Sequence, residues 1–75
     1  MVHHEEIRDA QRVRPFQPFD LNVADGRRFR VAHPEMLFVT RNGRTVVFEN
    51  ADGHVEMIDT VLITSVAPPG PYEAR

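Results

Sequence analysis

The residue types able to carry chemistry are few: one serine, four histidines, eleven carboxylates and nine arginines, with no lysine and no cysteine. Without lysine there is no Schiff base and no P-loop lysine. Without cysteine there is no thiol nucleophile, no disulfide and none of the usual zinc modules. Ser65 lies in a strand-like run and lacks the sharp turn of a nucleophile elbow. His3-His4 with Glu5-Glu6 comes nearest to a metal-ligand cluster, but adjacent helical residues point about 100° apart and cannot share one ion easily. His33 precedes a proline and His54 follows a turn glycine, so both read as local polar contacts. Glu35 and Asp59 sit at breaks between strand-like runs, where turn capping explains a carboxylate more simply than acid–base work does. No glycine-rich phosphate loop is present. The expectation is a protein without cofactor or metal, acting by binding rather than by catalysis.

The arginines carry the strongest binding signal. Arg27, Arg28, Arg30, Arg41 and Arg44 are opposed between residues 26 and 48 only by Glu35. Guanidinium groups fork onto phosphates and stack on bases, so these five form a candidate nucleic-acid strip, the alternative being a solvated face and a charged strand edge that discourages aggregation. The net charge of −2 argues against a dedicated nucleic-acid coat. The charge is uneven, +2 over residues 1–44 and −4 over 45–75, which suits head-to-tail contact between copies.

The elements that must position these residues follow from periodicity. His3 to Arg14 reads as a short helix: Ile7, Ala10 and Val13 share a face, acids lead, arginines follow, and Pro15 ends it. A helix so short must dock to survive in water. Phe16 and Phe19, in the proline-bounded run Pro15 to Phe19, are the expected anchors between helix and sheet. From there the period is two. Phe19, Leu21 and Val23 alternate with polar or small residues; Asp25-Gly26 predicts a tight type I′ hairpin; Phe29 and Val31 point inward with Arg28 and Arg30 outward. Met36 to Thr40 is short and apolar enough for a strand buried on both sides, which puts Phe38 in the core with Phe29 and Phe48. Asn42-Gly43 turns the chain into Thr45–Glu49. After Asn50 to Gly53 a strand follows whose phase is open between Val55/Met57 and Glu56/Ile58, and Val61 to Val66 reads as the last strand. Ala24-Asp25-Gly26 and Ala51-Asp52-Gly53 make an echo 27 residues apart, from duplication or from repeated turn chemistry.

The whole predicts a mainly β chain: a small antiparallel five- or six-stranded SH3-like or Sm-like barrel over residues 1–67, with a helix at about 3–14 and a flexible proline-rich tail over 68–75. No run approaches the ~18 apolar residues of a membrane span, and Glu5, Glu6 and Asp9 do not suit a secretory signal, so the expected location is cytoplasmic.

Two resemblances attach to these residues. Arg14-Pro15-Phe16-Gln17-Pro18-Phe19, Asp25-Gly26-Arg27, His33-Pro34-Glu35, Gly43-Arg44-Thr45 and Ile58-Asp59 together resemble a group of short bacterial proteins of unassigned function. The order helix, β-Asp-Gly-β, bent middle strand, and the ending Ile63-Thr64-Ser65-Val66-Ala67-Pro68 resemble the bacterial Sm-like RNA chaperones. That second resemblance implies ring assembly through the closing strand, with Leu62, Thr64 and Val66 at an interface, and binding of single-stranded RNA. Where those chaperones carry a Lys-His pair before the last strand, this chain has Asp59-Thr60, which repels phosphate. The leading expectation is therefore a homo-oligomeric or protein-binding module, with RNA as the alternative partner.

Overall fold

The computed structural model describes residues 2–69. The helix α1 (His4–Arg12) begins where His3 caps it: the His3 ring Nδ1 accepts the Glu5 N–H at 3.2 Å, and the Glu6 carboxylate accepts the His3 N–H at 3.3 Å. This reciprocal box satisfies two donors that helix geometry leaves open. α1 ends two residues before the expected Arg14, because Val13 already takes an extended conformation ahead of Arg14-Pro15. Arg14 donates to the carbonyls of Gln11 and Val13, covering the frayed end.

Six strands follow: β1 (Phe19–Val23), β2 (Arg28–Val31), β3 (Leu37–Val39), β4 (Thr45–Glu49), β5 (Val55–Asp59) and β6 (Ile63–Ala67). They form two antiparallel sheets of three, ordered β2-β1-β6 and β3-β4-β5. No ladder joins the sheets among the described residues, so what the hydrogen bonds build is two sheets rather than a closed barrel. The chain crosses between them at two corners, through 3-10 turns at Pro34–Met36 and Thr60–Leu62. The second corner shortens the last strand from the expected Val61 start to Ile63. At that corner the Asp59 carboxylate accepts the Val61 N–H at 3.0 Å, as turn capping requires.

The echo in the sequence extends to the topology. β1, β2, a 3-10 corner and β3 recur as β4, β5, a 3-10 corner and β6, and each half gives its third strand to the other half's sheet. The hairpins match: Val23 N–H donates to Arg27 O and Asn50 N–H to His54 O, each closing a three-residue loop. These are not the type I′ turns expected from Asp-Gly. Among the described residues none other than glycine has positive φ, and Gly26, at +95°, follows the turn instead of sitting at its centre. A type I turn followed by a left-handed glycine meets the strand twist equally well and spares Asp25 the left-handed region.

Ile7, Leu21, Val31, Val46, Ile58 and Ile63 are the largest side chains wholly shut from solvent, drawn from the helix and both sheets. Complete burial of each contributes roughly 1.5–3 kcal/mol before ordering entropy is charged against it. The Phe29 and Phe48 rings meet across the two sheets at 5.1 Å. α1 packs over β3 and β6. It also covers the edge of β3: Gln11 Nε2 donates to Leu37 O at 2.6 Å and Pro34 O at 2.9 Å, and Arg8 Nη2 to Thr40 O at 2.7 Å. The proline-rich tail expected over 68–75 lies, from residue 70 onward, outside the described residues.

Candidate functional site

Alternation on β4 and β5 decides what the second sheet shows to solvent. Val46, Phe48 and Ile58 point into the core, so Val47, Met57 and Val55 must point out. The same rule on β3 buries Leu37 and Val39 and turns Phe38 outward. Phe38 lies directly opposite Val47, and Val47 directly opposite Met57, so the three make one apolar row across the sheet. Phe38 is 61% exposed, Met57 73% and Val55 59%. Contiguous apolar surface of a few hundred Å² is the scale at which a patch marks an interaction site.

The expectation that Phe38 belongs to the core, and that β3 is buried on both faces, is corrected here. β3 is an edge strand of a two-layer fold, and the core touches only one of its faces. The open phase of β5 resolves with Ile58 inward and Met57 outward.

The first sheet supplies an internal control. At the equivalent positions, 27 residues earlier, Asp20 stands for Val47 and Arg30 for Met57, and they too are cross-strand partners. There the pair is ionic: Arg30 Nε donates to Asp20 Oδ1 at 2.9 Å, with the Asp20 side chain only 3% exposed. Beside it Asn22 Nδ2 donates to Ser65 Oγ at 2.8 Å. The architecture thus accepts polar outer positions, and the apolar row on the second sheet is not demanded by strand pairing.

The five candidate arginines are divided between two places. Arg27, Arg28 and Arg30 lie on the β1–β2 hairpin, while Arg41 and Arg44 flank the β3–β4 turn, which packs under α1 and beside the second 3-10 corner. Arg27 donates to Asp25 at 2.7 Å and to Glu56 at 3.2 Å and lies over the Phe29 ring. The Asp25 carboxyl is held below the ordinary carboxylate range, foremost by the Arg27 backbone N–H, which together with the Arg27 guanidinium outweighs the opposing desolvation. Arg27 and Arg30 are thus committed to carboxylates among the described residues, a weaker phosphate surface than the sequence suggests. Arg30 is half-buried rather than fully on an exposed face, because Asp20 draws it in.

Of the expected anchors, Phe19 is buried and Phe16 half-buried, their rings 5.9 Å apart. They stand beside an open cleft of about 450 Å³ lined by Ala10, Val13, Pro18, Phe19, Val66 and Pro68. Val66 is half-buried on β6, Thr64 donates to the Asn22 carbonyl at 3.1 Å, and Leu62 lies in the 3-10 corner. β6 pairs within the chain, with β1, and the Val2 N–H donates to Ile63 O on its other side. Of the interface expected along Leu62, Thr64 and Val66, the last two lie on a strand engaged on one side throughout and on the other at its start, and Leu62 is exposed in the corner before it.

Among the groups weighed for chemistry, Ser65 is tied to Asn22, Asp59 caps its turn and His3 caps α1 with its ring stacked on His4 at 4.3 Å. Among the described residues no three metal-binding side chains come together. No helix is long and apolar enough to cross a membrane. Set against protein-family models, curated proteins and solved structures, the chain matches none.

Proposed function

We propose that this protein is a non-catalytic binding and assembly module whose working surface is the outer face of its second sheet. In this reading the two sheets and their 3-10 corners form a small barrel-like platform of SH3-like or Sm-like kind. The observation that carries it is the outward apolar row Phe38, Val47, Met57, exposed at both ends and half-buried at Val47, set where the other half of the same fold carries Asp20 and Arg30. Exposed apolar area stabilises nothing in an isolated chain, and its burial against another protein surface is favourable at roughly 25 cal/mol per Å².

Phe38→Lys and Met57→Lys test the reading. Each keeps the core intact, so the urea midpoint of Met57→Lys stays close to the wild-type value and Phe38→Lys loses no more than the roughly 1 kcal/mol of its partly buried ring, while concentration-dependent association in sedimentation velocity is lost. Association undiminished in both variants, or collapse of stability in either, would overturn it. The RNA reading has its own measure. A phosphate-binding strip must give affinity for single-stranded RNA that falls steeply with salt, and no detectable affinity at low salt removes it.

A further inference from the structure

We propose that the protein docks with a second copy of itself through the free edge of β5, the two β5 strands running antiparallel about a two-fold axis at Met57. The second sheet then grows from three strands to six, and the apolar row continues across the join. This rests on the reading of that sheet as the working surface and names its partner.

Two hydrogen bonds fix which backbone groups are free. Thr60 N–H donates to Arg44 O and Asn50 N–H to His54 O, so the even-numbered residues of this stretch bond to β4. Antiparallel alternation turns the N–H and C=O of Val55, Met57 and Asp59 away from β4, and among the described residues no ladder pairs them. The other three edges are managed. Gln11 and Arg8 take up carbonyls along β3, Val2 donates to β6, and β2 carries Arg28 and Arg30. An edge without cover, cation or proline is a template for another strand. β5 comes nearest to that edge: Val55 and Met57 are apolar, and its two acids are both engaged, Glu56 with Arg27 and Asp59 with the Val61 N–H.

Charge selects the partner and the direction. Parallel pairing would set Asp59 against Asp59, and like charges directly opposite are destabilising. The antiparallel register at Met57 sets Asp59 against Val55 of the second copy and keeps the acids apart. It also lays the end of the sheet bearing Arg41, Arg44 and Asp59 alongside the end bearing Glu49 and Asp52 in the other copy, with Val55 standing between Asp59 and Glu49. A joint built on one strand of five residues falls below the roughly 1,200 Å² of stable complexes, so the dimer is weak and concentration-dependent.

Because the chain has no cysteine, single-thiol variants report the register directly. In Met57→Cys the facing residues form a hydrogen-bonded pair with Cα atoms about 5.5 Å apart, within disulfide reach. Under mild oxidation at about 1 mM protein, Met57→Cys is expected to cross-link to a dimer. Val55→Cys and Asp59→Cys cross-link when mixed and little when alone. Phe38→Cys, two strands from the join, stays monomeric. A dimer that cross-links through Phe38→Cys and not Met57→Cys overturns the edge pairing and leaves the working surface standing. Absence of cross-links in every variant, with light scattering of a monomer at the same concentration, overturns the pairing and self-association together. Met57 is 73% exposed, so its replacement leaves the fold intact.

Discussion

Truncating two neighbours on β3, Leu37→Ala and Phe38→Ala, separates a core residue from a surface one within a single strand. Leu37 is 4% exposed and packs into the cluster formed by both sheets. Its truncation removes the transfer energy of a buried Leu and leaves a cavity, which together cost about 2–5 kcal/mol. Phe38 is 61% exposed and touches the sheet along its stem. Full burial of a Phe is worth roughly 1.5–3 kcal/mol, and the buried fraction of this ring returns about 1 kcal/mol. A domain of this length shifts its melting midpoint by roughly 4–8 °C per kcal/mol, so the variants should melt about 8–40 °C and about 4–8 °C below the wild type. Urea unfolding followed by circular dichroism, in dilute protein so that association does not contribute, measures both. Equal losses at the two positions would mean that the outer face of β3 is covered in the monomer, and the argument for an exposed apolar row would be wrong.

Four further outcomes follow from particular contacts. Gly43 has φ +76°, and a Cβ there would lie 2.5 Å from the His4 ring, so Gly43→Ala should cost about 1–3 kcal/mol and loosen α1, seen as lost helical dichroism. Asp20→Ala removes the buried carboxylate that Arg30 grips and should cost about 1–3 kcal/mol by urea titration, while doing nothing to association. The Thr60 hydroxyl is buried without a hydrogen-bond partner among the described residues, so Thr60→Val should be neutral or stabilising by up to about 1 kcal/mol; a clear loss would show that the hydroxyl is satisfied. Because the Asp25 carboxyl is held below its ordinary range, its contribution is present above the unfolded pKa near 4 and is lost as pH falls through the folded value. Asp25→Asn should therefore flatten the acid limb of the stability profile and leave the pH dependence between 6 and 8 unchanged, which a roughly pH 2–8 series checks.

The sheet edges explain how so small a chain stays ordered. A core of this size leaves little surplus over ordering entropy. α1 adds more than the burial of Ile7, because Arg8 and Gln11 occupy carbonyls that β3 would otherwise show to solvent or to another chain. The same helix closes the fold on one side and leaves β5 open on the other.

Local chemistry made much of this legible in the sequence. Alternation at Phe19, Leu21 and Val23, glycines at the ends of three turns, and the polar breaks at His33 and Asp59 determined which segments would be strands and which would be turns. Absence of lysine and cysteine determined which reactions were closed to the chain. Turn type escaped because Asp-Gly serves two hairpin geometries, and only the backbone shows which one the strand twist selects. The docking row escaped for a deeper reason. Phe38 sits in a run of consecutive apolar residues and Met57 beside an ambiguous phase, and a period-two pattern cannot say which face meets the core when both faces are apolar. That choice was made by the second layer: the first sheet can cover only one side of β3, β4 and β5, and Leu37, Val39, Val46, Phe48 and Ile58 claim that side. The pairing of Asp20 with Arg30, and of each half's third strand with the other half's sheet, likewise exists only once the two sheets have come together, because these are contacts between residues whose separation along the chain carries no local signal.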